Sequence, residues 1–172
     1  MEGRLDALNV ALANEMREHE FYLNNAKRTV NPLGKDMFQQ IASEELEHYE
    51  RLKQLSEVWK KREKWPETVP LQVKNTVVKD VLNGFVKKAA ALPAGDDDDL
   101  KAIRTAIDFE AKGAAFYARL SEDVIDPREK AFFSLLADIE QEHFASLKDT
   151  EEYLTDPAGW YQKTERSGLD GA

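Results

Sequence analysis

The sequence contains no cysteine. That absence excludes a structural disulfide, a thiolate zinc site, an iron–sulfur cluster and a cysteine nucleophile. It has no run of about 18 apolar residues, so no helix is expected to span a bilayer. Residues Met1 to Arg17 are charged and patterned as a helix, without the apolar core of a signal peptide. Cationic excess is lacking as well: 24 Lys and Arg face 33 Asp and Glu, for a formal net charge of −9. The long-range field of such a chain repels nucleic acid and anionic membranes, so neither is expected as a partner. What is present is a 42% apolar content, enough for a core despite 33% charged residues, in a length that suits one domain. A soluble, cytoplasmic protein is expected.

The chain repeats itself. Displaced by 95 positions, residues 5–57 fall on residues 100–152 without a gap, with 16 identities in 53 positions. Ordinary composition gives about three or four. The identities include Glu15/Glu110, Phe21/Phe116, Tyr22/Tyr117, Pro32/Pro127, Phe38/Phe133, Glu45/Glu140 and His48/His143. Two copies of one helical hairpin account for this.

Within each copy, seam positions recur at intervals of three and four, the rhythm of a bundle helix. One such series is Phe38, Ile41, Glu45, His48, Leu52, Leu55 and Trp59, and its counterpart is Phe133, Leu136, Glu140, His143 and Leu147. Leu5, Leu8, Leu12, Glu15, His19, Tyr22 and Ala26 form another, matched by Leu100, Ile103, Ile107, Glu110, Ala114 and Tyr117. Pro32 and Pro127 are expected in the short turns. The pattern predicts helices near 4–29, 34–62, 98–124 and 128–154, antiparallel within each hairpin.

The predicted fold is all-α, an antiparallel four-helix bundle over residues 1–154 with hairpins 4–62 and 98–154 and a crossover at 63–97. Pro66, Pro70 and Pro93-Ala94-Gly95 interrupt the crossover, and Val73 to Leu92, with Val77, Val81 and Phe85, predicts a short helix inside it. The Asp96–Asp99 run lacks the alternating spacing of a calcium loop and is read as the cap of the next helix. Residues 155–172 are expected to be a short Gly-bearing tail whose Trp160 and Tyr161 dock on the bundle or on a partner.

Every seam is interrupted at the same level by polar residues: Glu15, Glu45, His48, Glu110, Glu140 and His143. Burying four carboxylates together costs their hydration and sets like charges against each other. Something must neutralise them. A single Glu-x-x-His in a charged helix usually lies on a solvated face. Here Glu45/His48 and Glu140/His143 stand at identical repeat positions, each 30 residues after a seam Glu. Oxygen and imidazole donors without sulfur suit iron or manganese, with zinc possible. Two dications balance four carboxylates, so these six residues are read as the ligands of a dimetal centre.

With these motifs the chain resembles the ferritin-like di-iron proteins of the rubrerythrin family. The resemblance rests on Ala13-Asn14-Glu15 with Phe21-Tyr22, on Glu45-Leu46-Glu47-His48, on Glu110 with Phe116-Tyr117, and on Glu140-Gln141-Glu142-His143. It implies a ferritin-like bundle holding two irons and reducing hydrogen peroxide, while related bundles oxidise or store iron. Rubrerythrins proper carry a separate cysteine-bound iron domain; without it, electrons are expected from an external donor protein. Where the family places a further carboxylate three residues after the third-helix Glu, this sequence has Gly113, and the repeat-equivalent position is Glu18, a possible extra ligand.

Tyr22 and Tyr117 lie two turns after their Glu on the same face, placed either to hydrogen-bond a ligating carboxylate or to be ordinary core residues. His19, whose repeat partner is Ala114, is read as a hydrogen-bonded histidine near the centre rather than a ligand. Glu47 and Glu142 are read as surface charges. Phe21, Phe116, Phe38 and Phe133 are read as packing that shields the site. The expected function is di-iron reduction of peroxide or dioxygen; alternatives are ferroxidase or iron-handling chemistry, and a metal-stabilised interaction module. A homodimer or higher homo-oligomer is expected.

Overall fold

The computed structural model of the chain describes residues 2–62, 76–87 and 95–169. Its helices are α1 (Glu2–Arg28), α2 (Pro32–Arg62), α3 (Val78–Lys87), α4 (Asp97–Asp123), α5 (Pro127–Thr155) and α6 (Pro157–Leu169). Among the described residues there is no strand, and no helix is long and apolar enough to cross a membrane. The four long helices form the ferritin-like bundle, α1 packed along α2 and α4 along α5, each about 40–47 Å long at 1.5 Å per residue.

Both hairpin turns are closed by a side-chain cap at equivalent repeat positions. Asn31 Oδ1 accepts from the N–H of Leu33 at 3.0 Å and of Gly34 at 3.2 Å. Asp126, its counterpart, accepts from the Arg128 N–H at 2.9 Å. Pro32 and Pro127 are thus the first residues of α2 and α5, not turn residues. A proline is tolerated there because its missing N–H has no intrahelical partner. The acidic run divides the same way: Asp96 caps α4, accepting from Asp99 N–H at 2.7 Å, while Asp97–Asp99 form its first turn. Arg28 donates to the Asp98 carbonyl at 2.9 Å and ties the first turn to the start of α4.

The core has two apolar halves with the polar layer between them. One contains Leu33, Phe38, Ile41, Val78, Ile103, Leu147 and Leu154. The other contains Leu8, Ala11, Leu52, Leu55, Phe132, Phe133 and Leu136. On α1 the buried stripe runs through Ala11, Glu15, Glu18 and Tyr22, leaving Leu12 and His19 half-buried at its edge. Leu8, Glu15, Tyr22 and Ala26 of the predicted seam are buried, so it is Leu12 and His19 that miss it. Likewise on α4 Ile103, Glu110 and Tyr117 are buried, while Ile107 and Ala114 are half-buried and Ala106 is buried instead. Both stripes keep the same 3-4 spacing through Leu8, Glu15 and Tyr22, so spacing alone does not choose between Ala11 and Leu12 or between Glu18 and His19.

The crossover helix begins at Val78, which is buried, while Val77 is exposed. Pro66, Pro70, Val73, Leu92 and Pro93-Ala94 lie outside the described residues, as does the side chain of Phe85. Within the expected tail, residues 157–169 are helical. Pro157 opens α6 at the position where proline is favoured. Trp160 and Tyr161 then pack edge-to-face on Tyr153 of α5, with ring centroids 5.5 and 5.9 Å away, a contact that offsets the low helix propensity of Gly159 and Gly168.

Candidate metal centre

The six seam residues converge from four helices. Two groups form, each with donor atoms within 4.8 Å of one another and able to hold a metal ion. The first is Glu15 from α1, Glu45 and His48 from α2, and Glu140 from α5. The second is Glu110 from α4, Glu140 and His143 from α5, and Glu45 from α2. Glu45 and Glu140 belong to both. The groups exchange under the 95-residue repeat, so the centre has the pseudo-two-fold symmetry of the chain.

Nδ1 of His48 lies 3.2 Å from Glu15 Oε2, 3.1 Å from Glu45 Oε2 and 3.5 Å from Glu140 Oε1. Nδ1 of His143 lies 3.3 Å from Glu45 Oε1, 3.4 Å from Glu110 Oε2 and 3.9 Å from Glu140 Oε2. The two imidazoles are nearly parallel, 6.1 Å apart. Glu45 Oε1, Glu110 Oε2, both oxygens of Glu140 and Nδ1 of His143 are buried without a hydrogen bond. Buried polar atoms are ordinarily paired, so five orphans within the two groups are donors awaiting an acceptor. A cation fits them in charge and in chemistry.

The electrostatics carry the same strain. Burial, then the charge of Glu45, raises Glu15 to about 8. Burial and the charges of Glu45 and Glu110 push Glu140 well above the usual carboxylate range. Burial also favours a proton on Glu45, but the charge of His48 and contacts with both imidazoles outweigh it and hold Glu45 ionised. Burial disfavours a charged imidazole, yet the surrounding carboxylates keep His48 and His143 protonated well above 6.5. Without a cation, protons take its place.

Each tyrosine hydrogen-bonds across the bundle. Tyr22 of the first hairpin donates to Glu110 Oε1, and Tyr117 of the second donates to Glu15 Oε1. Burial and the adjoining carboxylate raise both hydroxyls well above 10, so they remain donors. His19 lies outside both groups and its Nδ1 donates to the Ala42 carbonyl at 2.6 Å. Glu18 is buried one turn beyond Glu15, outside both groups; burial and the charges of Glu45, Glu110 and Glu15 raise it to about 9. Its counterpart Gly113 borders the centre directly, since a Cβ there would meet Glu140 Oε2 at 3.4 Å. Glu142 is exposed, but Glu47 is half-covered and sits 3.8 Å from Arg51, so only the former is a plain surface charge.

One participant was missed in the sequence. Glu44 Oε2 is 2.7 Å from Nε2 of His143, on the far side of the ring from the carboxylates. Burial alone raises its pKa, but the hydrogen bond and charge of His143 hold it at about 2. Glu44 precedes the Glu-x-x-His motif and is off the seam, so spacing gave no signal.

The chain matches the rubrerythrin family model over residues 6–151. It belongs to the rubrerythrin family. The match spans all four bundle helices and both carboxylate–histidine groups. No curated protein and no solved structure matches the chain. Membership of the rubrerythrins and the buried Glu/His cluster together point to metal binding, with iron the metal the family suggests.

Proposed function

We propose that this rubrerythrin-family chain is a di-iron peroxidase, drawing electrons from a separate donor protein. The observation that supports it best is the set of orphaned buried donors on Glu45, Glu110, Glu140 and His143, within two groups that share two carboxylates. Glu15 and His48 would complete one iron position, Glu110 and His143 the other, with Glu45 and Glu140 serving both. Two irons, when bound, supply one electron each to hydrogen peroxide, which takes up two protons and leaves as two waters.

The protein's own groups prepare that chemistry. Tyr22 and Tyr117 fix the carboxylates of Glu110 and Glu15 by donating protons they do not release near neutral pH. Carboxylates held this way keep their orientation when the charge beside them changes. Phe38 and Phe133 are buried against Tyr22 and Tyr117, ring centroids 6.0 and 6.3 Å away, and exclude bulk water from the layer. Glu18 supplies a further carboxylate once its proton leaves.

The test is rapid mixing of anaerobic, iron(II)-loaded protein with peroxide and, separately, with dioxygen. Peroxide is expected to oxidise the centre faster, because it accepts two electrons in one step. A centre inert to peroxide contradicts the peroxidase reading. Oxidation by dioxygen with release of iron(III) indicates ferroxidase chemistry instead, and inertness to both indicates a structural metal.

A further inference from the structure

Glu44 breaks the symmetry of the centre. Its Oε2 takes the Nε2 side of His143 at 2.7 Å. Its Oε1 accepts from Gln40 Nε2 at 2.7 Å and from the Val77 N–H, just before α3, at 3.1 Å. A carboxylate at Nε2 holds the ring proton on that nitrogen, so Nδ1 is the atom that gives up its proton and turns its lone pair to a cation. Nδ1 is the atom that faces Glu45, Glu110 and Glu140. The repeat-equivalent of Glu44 is Ile139, buried and apolar, so His48 receives no such acceptor from that position.

We propose that Glu44 is a positioning residue for His143, making the two cation positions unequal, with the one beside His143 filling first. A carboxylate that accepts an imidazole N–H fixes the ring and makes its other nitrogen a stronger donor; losing such a partner typically costs about 10–100-fold in metal affinity. The same carboxylate joins the crossover helix to the centre through Val77. The inference rests on the two-cation reading above.

Anaerobic titration of the metal-free full chain with cobalt(II), followed by its visible spectrum, tests this. Wild type is expected to bind two ions in two resolved steps. Glu44→Gln keeps the size of the side chain and two ions, but weakens the tighter step by about 10–100-fold, so the steps merge. Glu44→Asp is expected to restore part of the separation. Gln40→Ala removes a neighbour of Glu44 without touching His143 and is expected to leave both steps in place. In zinc-loaded protein, ¹⁵N–¹H spectra are expected to show a hydrogen-bonded Nε2–H on His143 that moves upfield in Glu44→Gln, because a neutral amide oxygen accepts more weakly than a carboxylate. A purely structural role at the start of α3 would change the melting temperature while leaving the steps and this resonance untouched, and that result overturns the inference alone. Wild type that binds no cobalt overturns it together with the two-cation reading.

Discussion

Glu45→Ala or Glu140→Ala is expected to remove both irons, whereas Glu15→Ala or Glu110→Ala is expected to leave one. The difference follows from membership: Glu45 and Glu140 stand in both donor groups, and Glu15 and Glu110 in one each. Losing a shared carboxylate strips a ligand from two positions at once and unbalances the charge of both. Losing Glu15 leaves Glu45, Glu110, Glu140 and His143 intact around the other position. The effect on the affected position should exceed the about 10–100-fold that follows loss of an outer hydrogen-bond partner. Iron counted per chain after anaerobic loading and desalting decides it, with helicity of each variant measured alongside. Two irons retained by Glu45→Ala, or none by Glu15→Ala, would contradict the sharing.

The second large effect is on stability, where metal-free and metal-loaded protein should respond to pH in opposite directions. In the metal-free chain, Glu15, Glu18, Glu140, His48 and His143 all have pKa values raised by folding. A raised group gives its full contribution below its unfolded value, about 4.5 for Glu and 6.5 for His. That contribution is lost as pH rises through the folded value, about 8 for Glu15 and about 9 for Glu18. Glu44 and Glu45 have the opposite sign: lowered by folding, they support the fold above about 4.5 and lose that support in acid. Metal-free protein should therefore lose stability steadily from about pH 5 to pH 9.

Metal binding reverses this, because ligands must shed their protons and affinity grows as pH rises. Each ion present at about a thousand times its Kd adds about 4 kcal/mol. Two ions then raise Tm by on the order of 20 °C near neutral pH for a chain of this size. The gap should widen between pH 6 and pH 8.5. Thermal melts of both forms across that range measure it. Equal melting temperatures, or a gap that narrows with pH, would mean the polar layer is hydrated and its carboxylates are not forced to share space.

The helical part of this architecture was legible because it is written twice. The 95-residue repeat carries the same seam, proline and Glu-x-x-His spacing in both copies, so one pattern supported the other. The six residues of the centre followed from polar residues where a bundle seam calls for leucine or phenylalanine. What stayed hidden depends on how helices face each other. Spacing places Tyr22 on the face of Glu15, yet its hydroxyl bonds Glu110, because that face turns toward the other hairpin. That Glu45 and Glu140 are shared follows from the approach of α2 to α5, about which neither sequence alone is informative. Glu44 carries no signal in the sequence, because it is α5 that brings His143 beside it. No helix is read in the Gly-bearing tail, where α6 forms with Trp160 and Tyr161 packed on Tyr153.

Anomalous diffraction at the iron edge, from a crystal of anaerobically iron-loaded protein, tests the central claim most directly. Two iron peaks per chain are expected in the polar layer between the apolar halves of the core, one beside Glu15 and His48 and one beside Glu110 and His143. A single peak, none, or iron bound elsewhere on the chain would contradict it.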